Sequence, residues 1–204
     1  MTAPDIAVNH HADHPGFAGV TGTFFGLVML IAGRRKARLA VDVAAVSEAD
    51  HVVDIGCGPG TAAREAARRG ARVTGVDPSP AMLRVARAFT RKKDSITWLE
   101  GTAESLPLPD GTATVVWSLA TVHHWQDVDK GVAEIRRVLA PGGRMLAIER
   151  VSRPGATGLA SHGWTEAQAK AFAALCRNAG LADVRVSTHG SGRRAVWTVA
   201  GLRQ

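Results

Sequence analysis

Two neighbouring histidines in the stretch Thr121-Val122-His123-His124-Trp125 are the residues of this 204-residue chain best suited to move a proton. An unperturbed imidazole titrates near pH ~6.5, so a neutral ring is available at physiological pH to accept one. Glu149, at the end of a later apolar run, is the matching acid, either as the partner of a histidine or as a contact for a substrate. A second constellation is Val52-Val53-Asp54-Ile55-Gly56-Cys57-Gly58-Pro59-Gly60, an apolar run that collapses into glycines at alternate positions. A strand that ends this way and runs into a helix leaves backbone N–H groups free to meet a ligand at the helix N-terminus. A third group, His10, His11 and His14 with Asp13, has metal-ligand chemistry but is also what a polar arm looks like.

The elements that must position these residues can be read from periodicity. From Val52 onward, strand-like runs alternate with helix-like runs, which implies a largely parallel sheet covered by helices. The strands are expected at 51–55, 72–76, 96–100, 114–118 and 144–149, with helices at 61–69, 80–90 and 130–139 between them. Pro141-Gly142-Gly143 is expected to stop the third helix and turn the chain into the next strand. Beyond the RPGATG loop, a helix over 165–178 and strands over 183–188 and 195–199 predict a C-terminal antiparallel hairpin.

The first 48 residues do not alternate in this way, and they include a helical pattern from Arg34 to Val46. They are expected to form an arm or helical lid, with the ligand-binding core over 49–150 and a substrate loop, helix and hairpin over 151–204. One domain is expected, since 204 residues at 46% hydrophobic suit a single core.

Composition narrows the function. Cys57 and Cys176 form no CxxC pair, so no disulfide framework or cysteine zinc site is suggested, and a reducing cytoplasmic setting is expected. The apolar stretch Phe24–Ala32 is too short for a membrane span, which needs roughly 20 residues, and is expected to pack on the domain or cover a pocket. The net charge of +7 comes from dispersed arginines rather than a basic block, so nucleic acid is not favoured as a partner.

The loop Val53–Gly60 resembles motif I of the class I S-adenosylmethionine (SAM)-dependent methyltransferases, in the branch with small-molecule and quinone-biosynthesis enzymes. Three further segments fall in the family's order. Val73-Thr74-Gly75-Val76-Asp77 resembles its second strand, ending in the acid that accepts both ribose hydroxyls; an acceptor-only carboxylate suits a vicinal diol. Gly101–Asp110 resembles the loop beside adenine, with Thr102 where the family usually has aspartate, and Glu134–Arg144 matches the run into the fifth strand. The resemblance implies a Rossmann-like seven-stranded sheet with helices on both faces and SAM as cofactor. It places Asp54, Gly56, Gly58, Gly60, Asp77, Pro78, Thr102, Ala103 and Ser118 around SAM, with Asp54 steadying the loop and helping to hold the methionyl ammonium.

The same resemblance gives the histidine pair a task. In similar sugar O-methyltransferases, a histidine after strand four and an acid after strand five lie near the acceptor hydroxyl. His123, His124 and Glu149 are therefore the candidate catalytic residues, with His123 as base, and Trp125, His162 and Trp164 are candidates for the acceptor pocket. The leading expectation is O-methylation of a small hydroxylated acceptor, a sugar or glycoside ahead of a phenol. C-methylation of a quinone precursor is the alternative. A divalent ion such as magnesium bridging Glu149, His124 and a substrate diol is a separate expectation, since hard cations favour oxygen ligands. Adenine methylation in nucleic acid is disfavoured, because Ser118-Leu119-Ala120-Thr121 stands where that class has an Asp- or Asn-Pro-Pro-aromatic motif. A SAM-binding protein without catalysis, and a homodimer, stay open.

Overall fold

The computed structural model describes residues 8–12 and 33–204. Seven strands form one sheet in the order β3-β2-β1-β4-β5-β7-β6. They are β1 (His51–Ile55), β2 (Arg72–Asp77), β3 (Ile96–Glu100), β4 (Ala113–Leu119), β5 (Leu139–Arg150), β6 (Leu181–His189) and β7 (Val196–Arg203). β1 to β5 are parallel, and β7 runs antiparallel between β5 and β6.

The helices are α1 (Arg34–Val43), α2 (Thr61–Arg68), α3 (Pro80–Ala88), α4 (Val128–Val138) and α5 (Glu166–Asn178). Successive strand residues point to opposite faces, so the central strands feed two cores. Val53, Ile55 and Val116 join α4 and α5 residues such as Ile135 and Phe172 on one face. Val52, Val115 and Trp117 join Ala37, Ala40 and Val41 of α1, Ala63 and Ala66 of α2, and Leu83 of α3 on the other.

The parallel half follows the expected alternation, with β1 and β3 at the expected bounds. Two elements differ. α4 ends at Val138, and Pro141–Gly143 lies within β5 rather than ahead of it. The pairing jumps from Ala113↔Leu139 to Val115↔Arg144, so the Pro-Gly-Gly segment is a bulge that keeps the strand attached. Of the arm expected as a lid, α1 is a layer packed on the sheet face, because its alanines and valine at helical spacing fill the second core. Val8–Ala12 is the described part that reaches the ligand edge, where the His11 N–H donates to the His123 carbonyl at 2.9 Å. Phe24–Ala32 lies outside the described residues. Among those described, no helix is long and apolar enough to cross a membrane.

Candidate active site

All the candidate chemistry lies at the carboxyl edge of the parallel strands, where open α/β sheets take ligands. β1 ends in the glycine loop, whose Gly56, Gly58 and Gly60 have φ of +67°, +52° and +79°. Side chains rarely adopt this region. A Cβ on Gly56 would also lie 2.6 Å from Thr121 Cγ2, and one on Gly60 would overlap the Trp98 ring. The loop is pinned to β2: the N–H groups of Gly56 and Cys57 both donate to the Val76 carbonyl, at 2.8 and 3.0 Å.

Asp77 completes this anchorage. Its Oδ2 accepts from the Gly58 N–H at 2.7 Å and its Oδ1 from the Ser79 N–H at 2.9 Å. Burial pushes its carboxyl above the usual range, and the two N–H donors pull it back. Each oxygen retains accepting capacity. A stripped loop beside an acceptor-only carboxylate therefore fits the methionyl and ribose parts of SAM.

Asp54 lies beneath the glycine loop. It is 2% exposed, on the face of β1 that carries Val52. Burial raises its pKa to about 7; the nearby Asp77 charge adds to this, and the Trp117 indole, the Ala63 N–H and Arg64 oppose it. Its carboxyl lies under the N-terminus of α2, where the Ala63 N–H bonds it and burial keeps it protonated below neutral pH.

The histidine turn is built against this loop. β4 ends at Leu119, Ala120 takes φ +62°, and Val122–His124 form a single 3₁₀ turn. Thr121 starts that turn and touches Gly56. Its Oγ1 donates to the Ile55 carbonyl at 3.2 Å and lies 2.6 Å from Ser118 Oγ. Ser118 is buried and supports Thr121 from within.

His123 Nδ1 lies 3.0 Å from both oxygens of Glu149, and Glu149 Oε1 accepts from the Val122 N–H at 3.1 Å. His123 is 2% exposed and Glu149 is fully buried. Both carboxylate oxygens are thus engaged within the protein, as suits Glu149 in the expected role of partner to His123. Glu149 is a positioning residue. It fixes the hydrogen of His123 on Nδ1 and leaves the Nε2 lone pair available.

His124 Nδ1 donates to the His11 carbonyl at 3.3 Å. Burial and the neighbouring His123 both lower its pKa. His162 joins these rings, with its centroid 5.5 Å from His123 and 5.6 Å from His124.

Trp125 and Trp164 are both buried. Trp125 packs on Gly131 and edge-on to Phe172. Trp164 is fully buried against Phe172, with its indole N–H on the Val8 carbonyl at 3.0 Å. Both rings close the core of this face. Pro78 and Thr102 are exposed beside Asp77 and the end of β3, whereas Ala103 is buried in the core of that face.

Sequence reasoning missed three features. His10 and His11 enter the cluster from the arm, across more than 110 residues of chain. Lys36 of α1 lies in the field of Glu149; burial lowers its pKa and the Glu149 charge opposes this. The positive φ of Ala120 carries no residue signal at all.

Residues 53–147 match the family model described as a methyltransferase domain. Over 112 residues the chain is 35% identical to demethylmenaquinone methyltransferase of Tropheryma whipplei, covering 55% of this chain and 46% of that one. Over the same length it is 38% identical to the ubiquinone/menaquinone biosynthesis C-methyltransferase of Rubrivivax gelatinosus, covering 55% and 44%. The chain thus spans about half the length of these curated relatives. A SAM-dependent methyltransferase from Aquifex aeolicus superposes with a TM-score of 0.73 at 16% identity, over 89% of this chain and 98% of that one, a likeness of fold. Through the matched segment, the glycine loop with its ribose-type acid and the seven-stranded order around them, residues 53–147 have the sequence and sheet order of a SAM-dependent methyltransferase domain.

Proposed function

We propose that the chain methylates a small hydroxylated aromatic acceptor, on a ring carbon beside a deprotonated hydroxyl, as in the C-methylation of a quinone precursor. The observation that carries this reading is the buried His123–Glu149 pair on the turn packed against Gly56. The names of the relatives support it. The His123–Glu149 pair serves removal of a proton from a sugar hydroxyl equally well, and it is the names of the relatives that favour the ring carbon.

SAM supplies an electrophilic methyl group with a neutral thioether as leaving group. Glu149 accepts the Nδ1 hydrogen bond of His123 and stabilises the imidazolium that forms when Nε2 takes the acceptor's hydroxyl proton. The resulting phenolate is electron-rich at the adjacent ring carbon, and after methylation the ring hydrogen leaves as a proton to restore aromaticity. Transfer to the oxygen itself would use the same proton removal.

The test is turnover of hydroquinones, phenols and sugars with SAM, with the methyl placed by mass spectrometry. A ring-carbon product is expected, and a methyl found only on a sugar would sink the reading. His123→Ala should lower kcat by about 10²- to 10⁴-fold while S-adenosylhomocysteine still binds. An unchanged kcat would remove His123 as base.

A further inference from the structure

Five imidazoles, those of His10, His11, His123, His124 and His162, meet at the carboxyl edge, where a single base would need one. Ring nitrogens of His123, His124 and His162 lie within 4.8 Å of one another. We propose that these three histidines form a binding site for a borderline divalent transition ion of the zinc class, with a fourth position open to water or a substrate oxygen.

The residue chemistry selects this kind of ion. Imidazole suits zinc, copper, nickel and iron, whereas magnesium and calcium need oxygen ligands, and the nearest carboxylate, Glu149, has both oxygens committed. Tetrahedral bonds of about 2.0–2.1 Å place donor nitrogens roughly 3.3 Å apart. His123 and His124 are fixed on one 3₁₀ turn, so His162, in the loop between α5 and the short turn Gly158–Ala160, makes the closing movement.

A second and independent observation is the support behind the rings. Ligating histidines ordinarily donate their other N–H to a carboxylate or a backbone carbonyl. His123 Nδ1 has the Glu149 carboxylate, and His124 Nδ1 has the His11 carbonyl. Both hydrogen bonds occupy Nδ1 and leave Nε2 as the ligand atom of each ring. The other two imidazoles are turned elsewhere. His10 bonds the Ser161 carbonyl and Gln168, and His11 Nε2 bonds Ser161 Oγ, so they hold the loop that presents His162.

Three protein ligands with an open position are the arrangement of a reactive rather than a purely structural zinc site. The binding site stands on the histidines alone, whatever the acceptor is.

The test uses the full chain freed of metal with chelator, then titrated with zinc by calorimetry and with cobalt(II) by visible absorption. One ion per chain is expected, with the absorption of tetrahedral cobalt. His162→Ala and His124→Ala should each weaken binding at least about tenfold, and Glu149→Gln by about 10- to 100-fold, while His10→Ala retains the ion. Thermal melts and S-adenosylhomocysteine binding, measured on each variant, separate loss of the ion from loss of the fold or of the methyl-donor site. Binding no tighter than that of a generic surface histidine overturns the proposal, as does zinc affinity equal in His162→Ala and the unsubstituted chain. Binding abolished by His10→Ala but retained by His124→Ala would place the ion on the arm and overturn it too.

Discussion

At the scale of single residues, the glycine loop and its acid were legible because no other residue type meets their constraints. Gly56 needs both a positive φ and the space against Thr121, so Gly56→Ala should cost roughly 1–3 kcal/mol from backbone strain alone. S-adenosylhomocysteine affinity and thermal midpoint should fall together, and normal values for both would refute this. Burial was not legible for Glu149, Trp125 or Trp164. A glutamate or tryptophan at the end of a strand or loop has the same sequence signature whether it meets ligand or core. Asp54 gives a further test. Its carboxyl titrates near about 7 when folded, against about 3.9 when unfolded. Between those values the folded chain keeps a proton that the unfolded chain has released, so stability falls as pH rises from about 4 to about 7 and then levels off. Asp54→Asn should flatten that segment of a urea-midpoint profile against pH. An unaltered slope would show that another group is responsible.

At the scale of elements, the start of the sheet is tied by one carboxylate. Asp50 accepts from Thr114 Oγ1, the Ser47 N–H and Arg144, and Arg144 also donates to the carbonyls of Ala44 and Ala45. Burial alone would raise the Asp50 pKa, but these donors hold it down to about 2. Because the folded value is depressed, the contribution is present above about pH 4 and is lost as pH falls towards 2. Asp50→Ala should destabilise the chain by about 2–3 kcal/mol at neutral pH, and by much less at pH 2, as denaturant melts at the two values would show. α5 carries a capping box in which Thr165 and Gln168 bond each other's backbone. Thr165→Ala should cost about 1 kcal/mol, read from the same melts, and a variant as stable as the unsubstituted chain would refute the cap. This box lies in Thr165-Glu166-Ala167-Gln168, a plain sequence signal. The bulge at Pro141–Gly143 was not legible, since Pro-Gly-Gly is the same text whether a strand begins after it or runs through it.

At the scale of the whole molecule, helix–strand alternation gave the parallel half because each crossover must return to the same sheet edge. It could not give the contact between Val8–Ala12 and a turn more than 110 residues away, which rests on the His11 N–H to His123 carbonyl bond, while Trp164 holds the Val8 carbonyl. It also predicted that the last two strands form a hairpin without saying which strand faces inward. That strand is β7, placed between β5 and β6. The parallel half can therefore be complete while one long strand, β5, still presents an unpaired backbone ladder. Until the hairpin docks, this ladder is a template for any extended chain, including another copy of the same half-sheet. Success in folding thus becomes a race between docking within one molecule and pairing between two, and it should worsen with protein concentration. A fragment ending at Gly180 should lose that race and self-associate in light scattering, whereas refolding yields of the full chain should recover on dilution.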